Sequence, residues 1–326
     1  MRDKYAIRIG YACINTELSK FNVFTSRSLI LRTAGEKGLD YIKELVEKNI
    51  DDLFKIIIYN EAHGIRFFRI SSGIFPHIGN PKLVGSDYDI TFVKTKLQQI
   101  GAYAKKNGHR LTMHPGQYVQ LGSPHKKVVI QSMTDLINHV NLLRYMKYKP
   151  SDGSVLIIHG GGTYGDKESA LNRWKKNFEK MPKSVRKYIS LENDENSYGI
   201  MDLLPLCEEL SIPFCLDIFH NKISKEPVKL TLKLMKRIFD TWTVKNMNPK
   251  IHISDQQIGK KRGAHSKTLN NIPSFILELP NKLKIPLDIM LEVKDKEISV
   301  FKMYYKYFDA DIDEAGKVNF NLSKKK

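Results

Sequence analysis

Short apolar runs that finish on a polar side chain recur along this chain. Lys250, His252 and Ser254 alternate with Ile251 and Ile253, which is the period of a β-strand, and the run closes at Asp255. Seven other runs have the same form: Ala6–Asn15, Arg66–Ser72, Arg110–His114, Val155–His159, Tyr188–Glu192, Phe214–Asp217 and Asp288–Glu292. With Lys250–Asp255 they make eight. The segments between them carry helical spacing. Glu36–Ala62 places Leu39, Ile42, Leu45, Val46, Ile50, Leu53, Ile57 and Ile58 three and four residues apart and stops at His63-Gly64. Ile90–Lys106, Lys126–Tyr148, Lys167–Lys180, Met201–Leu210, Lys229–Thr241, Ile272–Leu279 and Glu297–Phe308 complete the set.

Eight strand-then-helix units predict an α/β fold, a single-domain (β/α)8 TIM barrel over residues 1–308 with its site at the C-terminal ends of the strands. No linker divides the chain. The stretch 309–326 is polar, ends Lys324-Lys325-Lys326, and is expected to be a disordered tail.

Composition narrows the class. The chain has 326 residues, 41% of them hydrophobic, enough for one large core. No apolar run approaches the roughly 20 residues that cross a membrane, and the first five residues lead straight into a strand, leaving no room for a signal peptide. Cys13, Cys207 and Cys215 are too few, and spaced wrongly, for a disulfide framework or a structural zinc site. A reducing compartment is therefore expected, cytoplasm or nucleus according to host, with cell, organelle and virus all open as the source. The net charge is +18, from 53 Lys and Arg against 35 Asp and Glu. A polyanionic partner is the economical reading, nucleic acid ahead of a membrane surface.

The strand ends collect His77, His114, His159, Glu192, Asp217, His220, Lys250, His252, His265 and Glu292. Imidazoles and carboxylates without thiolates suit manganese, zinc or iron(II). The set exceeds what one ion needs, so two or three divalent ions are expected, with Glu192 or Asp217 as bridges. Such clusters hydrolyse phosphodiesters. Taken singly, each residue has a plainer use, a hydrogen-bonded core histidine or a helix cap; the joint pattern is what speaks for metals. His63, His109, His125 and His139 fall in helices or connections and are expected to be structural or solvent-facing. Lys250 is the odd member, because a buried ammonium is costly unless something uses it.

These residues lie in specific motifs: Gly10-Tyr11-Ala12-Cys13-Ile14-Asn15, Arg69-Ile70-Ser71-Ser72, Phe75-Pro76-His77, His114-Pro115-Gly116-Gln117-Tyr118, His159-Gly160-Gly161, Leu191-Glu192-Asn193-Asp194, Asp217-Ile218-Phe219-His220-Asn221, Lys250-Ile251-His252-Ile253-Ser254, His265 and Leu291-Glu292. Over about Ile7 to Lys294 the chain resembles the UV damage endonucleases, relatives of AP endonucleases of the endonuclease IV type. The resemblance implies up to three divalent metals, commonly Mn2+, held by His114, His159, Glu192, Asp217, His220, His252, His265 and Glu292. Lys250 would join them as a side-chain carbamate. Read from the residues alone, Lys250 is either carboxylated or an unmodified lysine paired with a carboxylate. Glu192, Asp217, Lys250 and His252 are the candidates for the chemistry itself.

The resemblance also implies that Gln117 and Tyr118 form a wedge pushed into the duplex where a lesion is flipped out; the alternative for Tyr118 is packing on the barrel rim. Tyr11 and Asn15 match residues lining the lesion pocket and the scissile phosphate, or else pack as ordinary loop residues. His77 is expected to support the metal site or a phosphate. Lys260, Lys261 and Arg262 lead into His265 and are expected to contact phosphates. Gly160-Gly161-Gly162 lacks the Lys-Ser/Thr of a P-loop and reads as room for backbone near metal or DNA.

The expected activity is ATP-independent hydrolysis, in double-stranded DNA, of the bond immediately 5′ to cyclobutane dimers or 6-4 photoproducts, by a monomer, starting excision repair. The competing readings are an AP endonuclease, a metal-dependent sugar isomerase and a damage-binding module without catalysis.

Overall fold

A computed structural model describes residues 6–80, 82 and 88–323. Eight parallel strands close into a barrel in sequence order: β1 (Ile7–Ala12), β2 (Phe67–Ile70), β3 (Arg110–Met113), β4 (Leu156–His159), β5 (Ile189–Glu192), β6 (Phe214–Asp217), β7 (Lys250–Ile253) and β8 (Leu287–Leu291). Their residues are almost all buried, as expected of parallel strands covered by helices. Each lies within or overlaps one of the eight runs that the apolar pattern marks. This is the (β/α)8 architecture.

The helices are α1 (Thr16–Ser19), α2 (Leu31–Ala62), α3 (Lys94–Lys106), α4 (Lys126–Tyr145), α5 (Lys167–Lys180), α6 (Lys183–Arg186), α7 (Ile200–Leu210), α8 (Ile218–Ile223), α9 (Leu232–Thr243), α10 (Ser274–Leu283) and α11 (Glu297–Tyr307). Where the pattern is periodic, the helices follow it, and local chemistry sets their ends. Thr231 caps α9, accepting from the Leu234 amide at 3.2 Å. That cap places the helix start after the expected Lys229. Gly38 interrupts α2 with φ 76°, ψ −179°. No described helix is long and apolar enough to cross a membrane.

The chain groups into two compact units, one of Met1–Ala12, Ile58–Arg69 and Ser190–Lys326, the other of Cys13–Ile57 and Ile70–Ile189. In the first unit, Arg8 on β1 grips Asp288 on β8, with Nε to Oδ1 at 2.7 Å and Nη2 to Oδ2 at 2.6 Å. This polar pair sits at the beginning of the strands, so it braces the sheet at the end away from the strand C-termini. In the second unit, Arg110 is buried at the start of β3 and donates through Nε to the Gly153 carbonyl at 2.7 Å.

The expectation of a disordered tail is corrected. β9 (Phe308–Ile312) and β10 (Val318–Leu322) form an antiparallel hairpin that pairs Phe308 with Leu322. Long-range contacts in the first unit hold it. Phe320 stacks on Tyr304 with ring centroids 3.9 Å apart, and Arg66 donates to the Val318 carbonyl at 3.0 Å. The final Lys324–Lys326 lie outside the described residues. Replacing Phe320 with Ala is expected to lower the urea midpoint by an amount equivalent to at least about 1 kcal/mol, the scale of an aromatic pair beyond its burial. An unchanged midpoint would show that the hairpin does not dock.

Candidate metal centre

In the first unit, the ends of β5 to β8 bring the expected groups together. Glu192 ends β5, Asp217 ends β6, Lys250 and His252 lie on β7, and Glu292 follows β8. The parallel register sets Asp217 opposite His252. Glu192, Asp217, Lys250 and His252 are all at 0% exposure. Two clusters form, Glu192–His252–Glu292 and Glu192–Asp217–His220, the candidate donor atoms in each lying within 4.8 Å of one another. Glu192 belongs to both. Its Oε1 is 2.5 Å from His252 Nδ1, and Glu292 Oε1 is 3.1 Å from the same nitrogen. His265 Nε2 stands 3.8 Å from Glu292 Oε2.

The surrounding bonds aim these donors. Asn193 exchanges two hydrogen bonds of 2.9 Å with the Asp217 backbone. Asp217 caps α8, Oδ1 accepting from the His220 amide at 2.8 Å. That cap turns the chain immediately after the strand and brings His220 back over the carboxylate. His220 Nδ1 lies 3.0 Å from the Asn193 carbonyl, which only accepts, so Nδ1 carries a proton and Nε2 is the nitrogen left to meet an ion, once it gives up its own proton. His114, in the second unit, makes the same arrangement with the Pro115 carbonyl at 3.1 Å. A metal-ligating histidine is usually fixed in this way. His114 and His159 are both half-buried, with ring centroids 5.1 Å apart.

Burial raises the proton affinity of Asp217, and the charges of Glu192 and Glu292 raise it further, against the opposing pull of His220. Burial lowers that of His220, but Asp217 and Glu192 outweigh it, and the imidazole ends above its ordinary value. For His252 burial wins and takes it down to about 4 despite Glu192, leaving a neutral ring at pH 7. Asp217 Oδ2 and His265 Nδ1 are buried with no hydrogen-bond partner. Crowded carboxylates, neutral imidazoles and buried polar atoms without hydrogen-bond partners fit divalent cations, and the all-nitrogen-and-oxygen donor set fits borderline-to-hard ions.

The sequence model of a family described as UV-endonuclease UvdE matches residues 7–321. The chain belongs to that family. A putative UV-damage endonuclease of Acanthamoeba polyphaga mimivirus is 59% identical over 318 residues, 98% of this chain and 96% of that protein. The UV-damage endonuclease of Schizosaccharomyces pombe is 38% identical over 313 residues, 92% of this chain but 50% of its own length, so the chain spans half of that protein. The solved structure of SacUVDE superposes with a TM-score of 0.77 at 30% identity, covering 91% of this chain and 96% of that one. A UvdE-family chain is a nuclease of UV-damage repair, and the sugar-isomerase and damage-binding readings fall away.

In this UvdE-family chain the residues expected to face DNA divide into two groups. Gln117 and Tyr118 are exposed at the corner of a turn closed by the Val119 amide and the Gly116 carbonyl at 3.0 Å. Lys260 and Lys261 are exposed on the hairpin that ends at His265, tied by the Gln256–His265 bridge. Arg262 is on the same hairpin and donates to the Ile223 carbonyl. The other group is enclosed. Tyr11 is at 0% exposure with its hydroxyl given to Asn60 Oδ1 at 2.6 Å. Asn15 is buried as the cap of α1, accepting from the Leu18 amide at 2.8 Å. Both are packed within the protein. His77 has φ 59° and donates from Nε2 to the Leu29 carbonyl at 2.6 Å. It shares with Tyr118, Phe75 and Lys127 the wall of a cavity of about 760 Å³ in the second unit, which does not include the metal-type clusters.

Two contributors escape the strand-end reading. Arg69, near the end of β2, forms an ion pair with Glu292, and Asn193 orders Asp217. A search for ligands discards both, one for its positive charge and the other as a neutral amide, although each stands inside a motif of the sequence, Arg69-Ile70-Ser71-Ser72 and Leu191-Glu192-Asn193-Asp194. Asn193→Ala should weaken divalent-metal loading about 10- to 100-fold, the usual cost of losing a group that orders a ligand. Titration against a competing chelator checks this, and unchanged affinity would show that Asp217 holds its position alone.

Proposed function

We propose that this endonuclease is metal-dependent and hydrolyses the phosphodiester immediately 5′ to UV photoproducts in duplex DNA, cyclobutane dimers and 6-4 photoproducts alike, without ATP. The cut leaves a 3′-hydroxyl for repair synthesis. The observation that carries the reading is the pair of buried donor clusters joined through Glu192. Glu192, Asp217, His220, His252, His265 and Glu292 would hold ions, and His114 and His159 are two further candidate ligands. Two or three Mn2+ ions are the expected complement. When bound, such ions lower the pKa of water and stabilise charge on the attacked phosphate and on the leaving oxygen.

The chain's own groups do the rest. Asn193 and the carbonyls on His114 and His220 orient the donors. Neutral His252 presents a lone pair instead of a proton. Lys260 and Lys261 hold the backbone by charge, and Gln117 and Tyr118 enter the duplex, the ring replacing lost stacking and the amide meeting orphaned bases. Lys250 is proposed to carry a carbamate, which turns a buried cation among candidate ligands into an anionic oxygen donor.

Nicking of UV-irradiated and unirradiated supercoiled plasmid, with Mn2+ and with EDTA, tests the reading. Nicks are expected only in the irradiated plasmid, abolished by EDTA and by His252→Ala. Equal nicking of both plasmids by metal-loaded protein would sink the UV-damage assignment, and preference for an abasic plasmid would replace it with AP-endonuclease activity. In binding assays across salt concentrations, Lys260→Ala with Lys261→Ala should reduce the slope of log affinity against log salt by about 2, one per lost phosphate contact. An unchanged slope removes these lysines from the interface.

A further inference from the structure

The turn that presents Gln117 and Tyr118 is braced from below by one side chain, Gln120, to which no role attaches in the reading above. Its Nε2 donates to the Gln117 carbonyl at 2.7 Å. Its Oε1 accepts from the Gly162 amide at 2.7 Å and from the Tyr164 hydroxyl at 3.1 Å. One amide thus joins the turn after β3 to the glycine loop after β4, which begins directly beyond His159. Gln120 is itself anchored, its backbone amide donating to Ser132 Oγ on α4 at 2.8 Å. The neighbouring carbonyls are held from α5, Leu121 by Asn177 Nδ2 at 2.8 Å and Gly122 by Arg173 Nε at 2.9 Å.

The local backbone leaves room for this link. Gly161 has φ +89°, and a Cβ there would stand 2.7 Å from Gln120 Oε1. The tight glycine run that the sequence marks after β4 therefore has a use: it lets the loop close on the Gln120 amide. The ring of Tyr118 lies over Gly116, where a side chain would collide with it.

We infer that Gln120 is a positioning residue that holds the Gln117–Tyr118 turn in fixed register with the loop carrying His159. An element that must enter a base stack does so more tightly when its conformation is set beforehand, because no ordering entropy is lost on insertion. A freely hinged turn would yield to an intact stack and a weakened one alike. The brace therefore acts on lesion discrimination and substrate binding. The inference rests on the UV-damage reading and extends it to a residue that touches neither DNA nor metal.

Kinetics of Gln120→Ala and Gln120→Glu on a duplex with a single photoproduct test it, with metal content and melting temperature recorded for each. Glutamate keeps the acceptor toward Gly162 and Tyr164 and loses the donor toward Gln117. Both variants are expected to raise KM about tenfold, with kcat within about twofold and metal content unchanged, on the scale of one hydrogen bond of about 1.4 kcal/mol. In a Tyr118→Ala background, Gln120→Ala should add less than twofold, since the brace has nothing left to hold. A wild-type KM in both variants, full additivity with Tyr118→Ala, or a joint fall of kcat and melting temperature would each overturn the inference while wild-type selectivity stands. Wild-type protein that does not prefer the lesion duplex would instead sink the UV-damage reading and this inference with it.

Discussion

Glu192, Asp217 and Glu292 converge on His252 and His220 inside a volume from which water is largely excluded, and carboxylates so confined repel one another. Burial alone favours their neutral forms. Within the first unit the chain supplies partial remedies: Arg69 on Glu292, His220 beside Asp217, Nδ1 of His252 against Glu192. None gives the second oxygen of Asp217 a hydrogen bond, His220 Nδ1 standing 3.7 Å from it. The strands have to hold these groups close despite the repulsion, and a closed parallel barrel does so because each strand is fixed by two neighbours. The bidentate Arg8–Asp288 pair, at the opposite ends of β1 and β8, shows the same polar chemistry used for bracing. Position along the strand distinguishes the two uses.

Much of this arrangement was legible in the sequence. A period of two that ends on a polar residue, eight times over, marks both the strands and the end of each strand that matters. The clusters around Glu192 follow from that placement, since parallel strands in register bring their final residues to one level. The misses have a common origin in contacts that are distant in sequence. The Phe308–Leu322 hairpin looks polar because β9 is exposed beyond Phe308 and β10 is only half-buried, and the stack of Phe320 on Tyr304 that docks it cannot be read from local pattern. The packing of Tyr11 against Asn60 and Phe68 is likewise beyond local pattern, since alternation marks an inward position and not what fills the space beside it. Gln120 gives no signal at all, because its importance lies in which carbonyl and amide a turn happens to bring near it. Helices α1, α6 and α8 are too short for periodicity, though the Asp217 cap offered a local sign of α8.

Rigidity is distributed according to use. The donor groups sit on strand ends, among the least mobile points of a barrel, and their orientations are fixed by backbone carbonyls and by Asn193. The exposed Gln117–Tyr118 turn would be the loosest part of such a molecule, yet its carbonyls at Gln117, Leu121 and Gly122 are each taken by a side chain. A loop intended only to connect has no need of such anchoring. The order built into this one is what the proposed probe of the duplex would require, and the net charge of +18 would favour a polyanion as its partner.

Lys250 links the charge balance to the number of ions. As an ammonium, together with Arg69, it would offset two of the three carboxylates and leave a single negative charge, which one divalent ion already exceeds. As a carbamate it would change sign, leaving three negative charges that suit two divalent ions with a bridging anion. The lysine is fully buried and lies 5.8 Å from the Phe67 ring. Burial lowers the proton affinity of His252 and the lysine's positive charge lowers it further, whereas at the Cys215 thiol burial raises it and the lysine only partly opposes that. The multi-metal centre and the modification are therefore a single hypothesis in electrostatic terms: an unmodified lysine here favours at most one ion, and a full complement of ions favours the modified side chain.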